Sequence, residues 1–505
     1  MIHTQSGTGH PDQPFVTGYT LPVGISLIAA VAEEGGHETE FLALNVCSPK
    51  ASVDRLLERF QPDVVGFSVT CQDYPVARVV AQHVRERAPE SFLLIGGPHA
   101  TLVPDRFIDG LFDAVCVGEG EYPTLDLLNA LEGGRDIRSI PNLWVIQGEE
   151  VFRNPTRPFM RNLDELPIQS WKNWDRYTMV PGVSFPILLS RGCAFDCTYC
   201  SNHALKEISA GRYVRFRTVP HILRELEALV QRYPETQLIF LETEMLNVNK
   251  AWVRELCEAL RDFNAQRERP IAFRTNFRIL PNYDWDEFFQ LLYSANVRSL
   301  FFGLESGAEQ IRSEILLREY SNEEVIRLAD AAKRAGVFLG TYVLVGVPQE
   351  TRKEYDETVA ILRELNLDTV VPFVFNPYPG TKLWEDCIDA GLTKPGEEEY
   401  LSRARGLDMP DFSRESILEA HGLMTTEFCT PGMPGSEKIL AKEMTALGVD
   451  VEKWMPIVGE ATGRSLGHEI VWNTPEPDES EIPSNFGGIL GGRQSGSVPS
   501  RPTLS

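Results

Sequence analysis

Residues 193–203 read Cys-Ala-Phe-Asp-Cys-Thr-Tyr-Cys-Ser-Asn-His, so Cys193, Cys197 and Cys200 fall at spacings of four and three. Three thiolates can hold three irons of a four-iron cluster and leave the fourth iron with an open coordination position, just as a three-ligand zinc site is left open. An open position suggests catalysis more than structure. The alternative for the same residues is a closed structural zinc site, with His203 as fourth ligand.

The thiols need a scaffold, and the flanking sequence supplies a repeated one. An apolar stretch at 184–190 leads into the cysteines, and further apolar strands are predicted near 237–241, 271–276, 299–304, 338–345 and 368–375. Amphipathic helices are predicted between them, the first carrying Val219, Ile222, Leu223, Leu226 and Val230 on one face. Six strand-helix units in series suggest a partial barrel, in which side chains at the strand ends converge on one mouth. There stand Glu242 and Glu244, Arg274 and Asn276, Glu305, the segment from Gly346 to Glu350, and the turn from Asn376 to Thr381. Each alone has a bland explanation as a helix cap or turn residue; the thiol cluster makes the combination hard to dismiss.

Upstream, strands and helices alternate from residue 21 to about 132, with continuous apolar strands at 63–70, 92–97 and 113–118. Such strands imply a parallel sheet covered on both faces, a doubly wound domain. A hairpin is expected at 142–154, turning at Gln147-Gly148. The domain boundaries expected from this pattern are 1–154 for the doubly wound domain, 155–183 for a structured linker and 184–381 for the barrel. A mostly helical region that shapes substrate access should occupy 382–473, and a Gly-, Ser- and Pro-rich tail of disordered composition 474–505. Trp384, Trp454 and Trp472 are read as core residues first and pocket residues second.

A chain of 505 residues exceeds one hydrophobic core, and its formal net charge of -24 argues against affinity built on phosphate neutralisation. Nucleic acid is not an expected partner. The apolar run at 23–32 is too short to span a bilayer, and the first residues lack the pattern of a signal peptide. Cys47, Cys71, Cys116, Cys257, Cys387 and Cys429 are scattered and read as reduced core residues, which points to a cytoplasmic protein.

With the cysteines placed after the first barrel strand, the chain resembles the radical S-adenosylmethionine enzymes, whose pattern is Cys-x3-Cys-x2-Cys with an aromatic residue, here Tyr199, before the last cysteine. Phe302-Gly-Leu-Glu305-Ser-Gly307 is similar to the family's fourth-strand segment, Gly346-Val-Pro-Gln-Glu350-Thr351 to its fifth. Asn376-Pro-Tyr-Pro-Gly-Thr381 is similar to the sixth-strand turn in the branch that carries a cobalamin-binding domain. The first domain resembles that partner through Leu21-Pro-Val-Gly24, residues 63–68, Ile95-Gly-Gly-Pro-His-Ala-Thr101 and Val117-Gly-Glu-Gly-Glu121. Glycine-rich loops after parallel strands let a bulky ligand approach the backbone at the crevice of an open sheet. Two departures stand out: there is no Asp-x-His-x-x-Gly pattern to supply a histidine beneath cobalt, and Met1-Ile2-His3-Thr4 is short for the strand that opens the family.

The resemblance implies a [4Fe-4S] cluster on Cys193, Cys197 and Cys200, with S-adenosylmethionine chelated by the free iron. Tyr199, Glu242, Glu244, Arg274, Asn276, Glu305 and Gly346 are its implied contacts, Glu305 at the ribose and Glu242 and Glu244 at the methionine end. Ser68, Thr70, Gln72, Gly96, Gly97, His99, Thr101, Gly118, Gly120 and Glu121 are the implied cobalamin contacts. No residue is assigned to catalysis. The implied activity is methylation of an unactivated carbon, or of phosphorus, in a small-molecule or natural-product intermediate, with electrons from a flavodoxin or ferredoxin. Cyclisation or rearrangement without methyl transfer is the alternative within the class.

Overall fold

The computed structural model describes residues 1–4, 15–17, 21–45, 48, 50–172, 174–180, 182–394, 406–428, 443 and 445–447. Trp454, Trp472, Cys47, Cys429, most of the expected access region and the whole expected tail lie outside the described residues.

The first unit comprises β1 (Ile2–Thr4), β2 (Phe15–Thr17), α1 (Val23–Glu34), β3 (Leu42–Leu44), α2 (Lys50–Phe60), β4 (Val64–Ser68) and α3 (Tyr74–Arg87). It continues with β5 (Phe92–Gly96), α4 (Pro98–Leu102), β6 (Ala114–Cys116), α5 (Glu121–Glu132), β7 (Leu143–Gln147) and β8 (Glu150–Arg153). Seven strands form one sheet in the order β3-β1-β4-β5-β6-β7-β8. The short Ile2–Thr4 strand therefore pairs in the interior of the sheet, in parallel with β3 and β4. The sheet is mixed: to the parallel strands expected from the sequence, the expected hairpin adds antiparallel on β6. Its apolar side chains explain this, since Leu143 and Val145 are buried with Leu94, Ala114 and Cys116 and would otherwise face water.

The linker is packed along much of its length. Trp174, fully buried, stacks on Phe41 with centroids 4.5 Å apart and donates from Nε1 to Ser26 Oγ over 3.1 Å. Leu163 and Leu166 join Val23, Leu27 and Val31 of α1, and β9 (Thr178–Val180) pairs with β2. Proline-rich sequence without periodicity is here a strap along the first domain.

The second unit begins with β10 (Ser184–Leu188), β11 (Ser190–Arg191), α6 (Asn202–Leu205), β12 (Arg215–Phe216), α7 (Val219–Arg232), β13 (Leu238–Glu242) and α8 (Lys250–Ala265). It continues with β14 (Ala272–Phe277), α9 (Trp285–Ser294), β15 (Val297–Glu305), α10 (Asn322–Ala335), β16 (Phe338–Val345), α11 (Arg352–Leu365) and β17 (Thr369–Val374), then α12 (Lys382–Asp389) and α13 (Arg414–Phe428). Six strands run parallel in sequence order, β10-β13-β14-β15-β16-β17, the expected partial barrel. Its helices start on side-chain caps: Thr218, Asn249, Asp284, Ser321 and Thr351 each accept a backbone N–H of the following turn. Each such cap stabilises by about 1 kcal/mol and fixes where the strand-end loop stops. No helix of the described residues is long and apolar enough to cross a membrane.

Candidate functional site at the domain junction

The cysteine loop is shaped by protein contacts. Gly192 has φ +84, and a Cβ there would lie 2.3 Å from Tyr213 O, so only glycine lets the chain turn beside β12. Ala194 N–H donates to Met245 Sδ over 3.1 Å, and Cys200 N–H to Cys197 O over 3.1 Å. Cys193 and Cys197 are buried, Cys200 is half-buried, and all three are free thiols. Burial raises the thiols of Cys193 and Cys200, the latter to about 11, so ionising them requires a compensating positive charge such as a metal. Among the described residues no group of three His, Cys, Asp or Glu side chains converges on one ion. A cubane asks for less, because each of its irons takes one thiolate, and three soft donors in one loop at a barrel mouth suit it.

His203 is excluded as a closing ligand by its own hydrogen bonds. Its Nδ1 meets Cys197 O at 3.0 Å and its Nε2 accepts Lys382 N–H at 3.0 Å, which fixes the tautomer with the proton on Nδ1. Both ring nitrogens are engaged.

At the fourth strand a register shift between Gly303 and Glu305 puts Glu305 at φ +63, a conformation a side chain adopts only at a cost. Glu305 accepts from Tyr199 OH at 2.8 Å and from Arg318 Nη1 at 2.9 Å, and Arg318 also reaches Tyr199 OH at 2.7 Å and Gly303 O at 2.9 Å. Burial lifts the Tyr199 phenol well above its ordinary value, so it stays a donor. Strained backbone, carboxylate and aromatic are thus locked together beside the thiols.

Glu242 ends β13, and it and Glu244, two residues beyond, open into the same cavity as Asn276. Enclosure and the neighbouring Glu244 push the Glu242 carboxyl up to about 7, and enclosure raises Glu244 as well, against a hydrogen bond from Asn202. Asn276 Oδ1 is buried without a hydrogen-bond partner among the described residues, an acceptor awaiting a donor. Two other expected contacts point elsewhere. Arg274 lies within the barrel, bonded to buried Glu443 at 2.7 Å with its guanidinium 4.2 Å from the centroid of Phe301. Gly346 N–H is taken by Glu350 at 2.6 Å, and a Cβ on Gly346 would lie 2.8 Å from Ile417 of α13.

The cavity of about 590 Å³ continues from this mouth to the strand ends of the first sheet. Ser68, Gly96, Gly97, Thr101, Gly118, Gly120 and Glu121 line it, and Thr70, Gln72 and His99 do not. Gly97 has φ +96, and a Cβ there would sit 2.7 Å from both Val69 N and Val69 O. Thr101 Oγ1 accepts Gly118 N–H at 3.0 Å, tying the two glycine loops together. His99 instead faces Tyr74 and Phe107, at centroid distances of 5.5 and 5.4 Å. Thr70 bonds Asp73 Oδ2 at 2.7 Å, and Gln72 reaches across to Tyr378 OH of the barrel at 3.2 Å.

Glu121 is drawn into a junction the sequence did not reveal. Arg191 of the barrel binds Glu121 and, at 3.0 Å, Glu119, and Arg215 binds Glu119 at 2.9 Å. Burial opposes the ionised Glu119, but Arg191 and Arg215 outweigh it and hold its carboxyl below its ordinary value. The four charges clamp the two domains around the cavity. Neither this clamp nor Arg318 was legible beforehand, since each pairs residues from different elements and leaves no periodic trace.

Comparison with known proteins agrees with this geometry. The B12 binding domain family matches residues 16–128 and the Radical SAM superfamily residues 187–362. An uncharacterized methyltransferase of Pyrococcus horikoshii is 28% identical over 378 residues, 74% of this chain and 79% of its own. An anaerobic magnesium-protoporphyrin IX monomethyl ester cyclase of Rubrivivax gelatinosus is 24% identical over 387 residues, 74% of this chain and 67% of its own. Among solved structures, the radical S-adenosylmethionine methyltransferase TsrM of Kitasatospora setae, with cobalamin and a [4Fe-4S] cluster bound, superposes with a TM-score of 0.66. That match has 16% identity and covers 92% of this chain and 98% of the other, a likeness of fold.

Proposed function

We propose, for a chain that belongs to the radical SAM superfamily and carries a B12 binding domain ahead of its barrel, that it methylates an unactivated carbon or a phosphorus centre of a small molecule. It is a cobalamin-dependent radical SAM enzyme, with a [4Fe-4S] cluster, S-adenosylmethionine and cobalamin as cofactors. The observation that carries the methyl-transfer reading is the single cavity joining the glycine loops of the first sheet to the barrel mouth, with the cysteine loop beside it. When bound, the cluster and S-adenosylmethionine supply a carbon radical able to remove hydrogen from an unactivated C–H bond, and methylcobalamin supplies a methyl group.

In this reading Cys193, Cys197 and Cys200 each hold one iron. Glu305, kept rigid by Arg318 and Tyr199, meets the ribose, and Glu242 and Glu244 meet the methionine end, with Asn276 in the same cavity. Gly96 and Gly97 let the corrin approach the backbone, and the Arg191-Glu119-Arg215 clamp holds both cofactor floors at one fixed separation. An external one-electron donor of flavodoxin or ferredoxin type completes the system.

The test is anaerobic reconstitution with S-adenosylmethionine carrying a deuterated methyl group, a reductant and a range of candidate substrates. Methyl transfer requires 5'-deoxyadenosine together with a product bearing the deuterated methyl. The similarity to the cyclase supports a second reading, ring closure, for which 5'-deoxyadenosine would form with no label in the product. No 5'-deoxyadenosine with any candidate would count against both.

A further inference from the structure

Arg278, the first residue beyond β14, faces the cysteine loop and was not among the residues singled out by sequence. Its Nη1 donates to Cys197 Sγ over 3.2 Å, and its guanidinium carbon lies 3.6 Å from the ring centroid of Phe195, which stands between Cys193 and Cys197. Its backbone is held from both sides by Asn247, whose Oδ1 accepts Arg278 N–H at 3.2 Å and whose Nδ2 donates to Arg278 O at 2.8 Å. Asn247 is only 1% exposed, so the anchor is itself fixed. These contacts are to sulfur, an aromatic face and an amide, and none of them is to a carboxylate.

We propose that Arg278 is a positioning residue that acts through Cys197 to hold the reduction potential of the iron-sulfur cluster above the value a neutral residue would give. Reduction adds an electron to a centre already ligated by three anionic thiolates, in partly buried surroundings where charge is weakly screened. A fixed cation and an N–H bond to a ligating sulfur both favour the electron-rich state, and hydrogen bonds to sulfur are among the protein's levers on cluster potential. Arginine suits the task because it stays charged at any working pH and stacks flat on an aromatic ring, so Phe195 fixes the plane from which Nη1 reaches sulfur. The inference concerns electron entry and holds whichever atom receives the methyl group, or if none does.

The test is a redox titration of the full chain, loaded anaerobically with cluster and cobalamin, followed by electron paramagnetic resonance of the reduced cluster without S-adenosylmethionine. Arg278→Leu and Arg278→Gln should titrate at a more negative potential than the unaltered protein. At the unaltered midpoint their ratio of reduced to oxidised cluster should fall about tenfold, which is about 59 mV for a one-electron couple. Arg278→Lys, which keeps the charge, should lie nearer the unaltered protein than either neutral variant. If Arg278→Leu fails to retain iron, Arg278→Gln carries the same comparison. Neutral variants with a full complement of iron and an unshifted midpoint would overturn the proposal.

Discussion

Replacing Arg318 with methionine tests whether the geometry at Glu305 is held electrostatically. Arg318 is 5% exposed and Glu305 8%, and the guanidinium supplies bonds to Glu305, Tyr199 and Gly303. Removing one partner of a buried ion pair costs about 3–5 kcal/mol, most of it for the charge left behind. Glu305 would keep only the Tyr199 hydroxyl as a side-chain donor in this network, on backbone already at φ +63. The damage should therefore be partly reversed by a second change: Glu305→Gln on the Arg318→Met background removes the stranded charge and should recover about 1–3 kcal/mol. For a domain of barrel size that is about 2–12 °C, at about 2–4 °C per kcal/mol. Anaerobic circular dichroism melts of cofactor-free protein measure it, because cluster loading then does not mask the packing term. A double variant that melts at or below Arg318→Met would refute the argument that unpaired charge dominates.

Cys197→Ala should strip the protein of iron while leaving cobalamin bound, measured by metal analysis and the corrin absorbance, because the two cofactor floors lie on different domains. Gly97→Ala should do the reverse: the added methyl meets Val69 backbone at 2.7 Å, so cobalamin retention falls and iron content holds. Glu350 makes a pH prediction, since burial raises its carboxyl from 4.5 to about 8, against the pull of its bonds from Gly346 and Val347. The unfolded chain ionises it more readily than the folded one, so this group lowers stability progressively between about pH 4.5 and 8, by at most about 1.4 kcal/mol per pH unit. Glu350→Gln should therefore gain over the unaltered protein as pH rises, and parallel melting profiles from pH 5.5 to 8.5 would contradict this.

What the sequence made legible was whatever is written in local pattern. The cysteine spacing, the apolar strands and the polar residues at their ends all survive as elements of the structure, and the hairpin turns at Gly148-Glu149, one residue later than expected. Glu242, Glu244, Asn276 and the glycines at 96–97 do meet around one cavity. Arg274 shows the limit: a polar residue on the third strand is expected at the mouth, but it sits within the strand and is paired with Glu443, a partner 169 residues away. His99 follows a glycine pair and a proline, yet the short helix α4 turns it into the aromatic core. Long-range ion pairs such as Arg191 with Glu119 leave no period to detect, because either partner alone reads as a solvated charge.

The bonds that hold the cysteine loop have a consequence for how this protein is made. Gly192 against Tyr213, Ala194 on Met245, Thr198 on Ile315 O and His203 between Cys197 and Lys382 are all contacts between protein atoms. Small zinc domains fold around their metal and collapse without it. Here the partners of the loop, Tyr213, Met245, Ile315 and Lys382, come from four separate parts of the second unit, so the shape around the thiols is tied to the folding of the whole barrel and not to metal ligation alone.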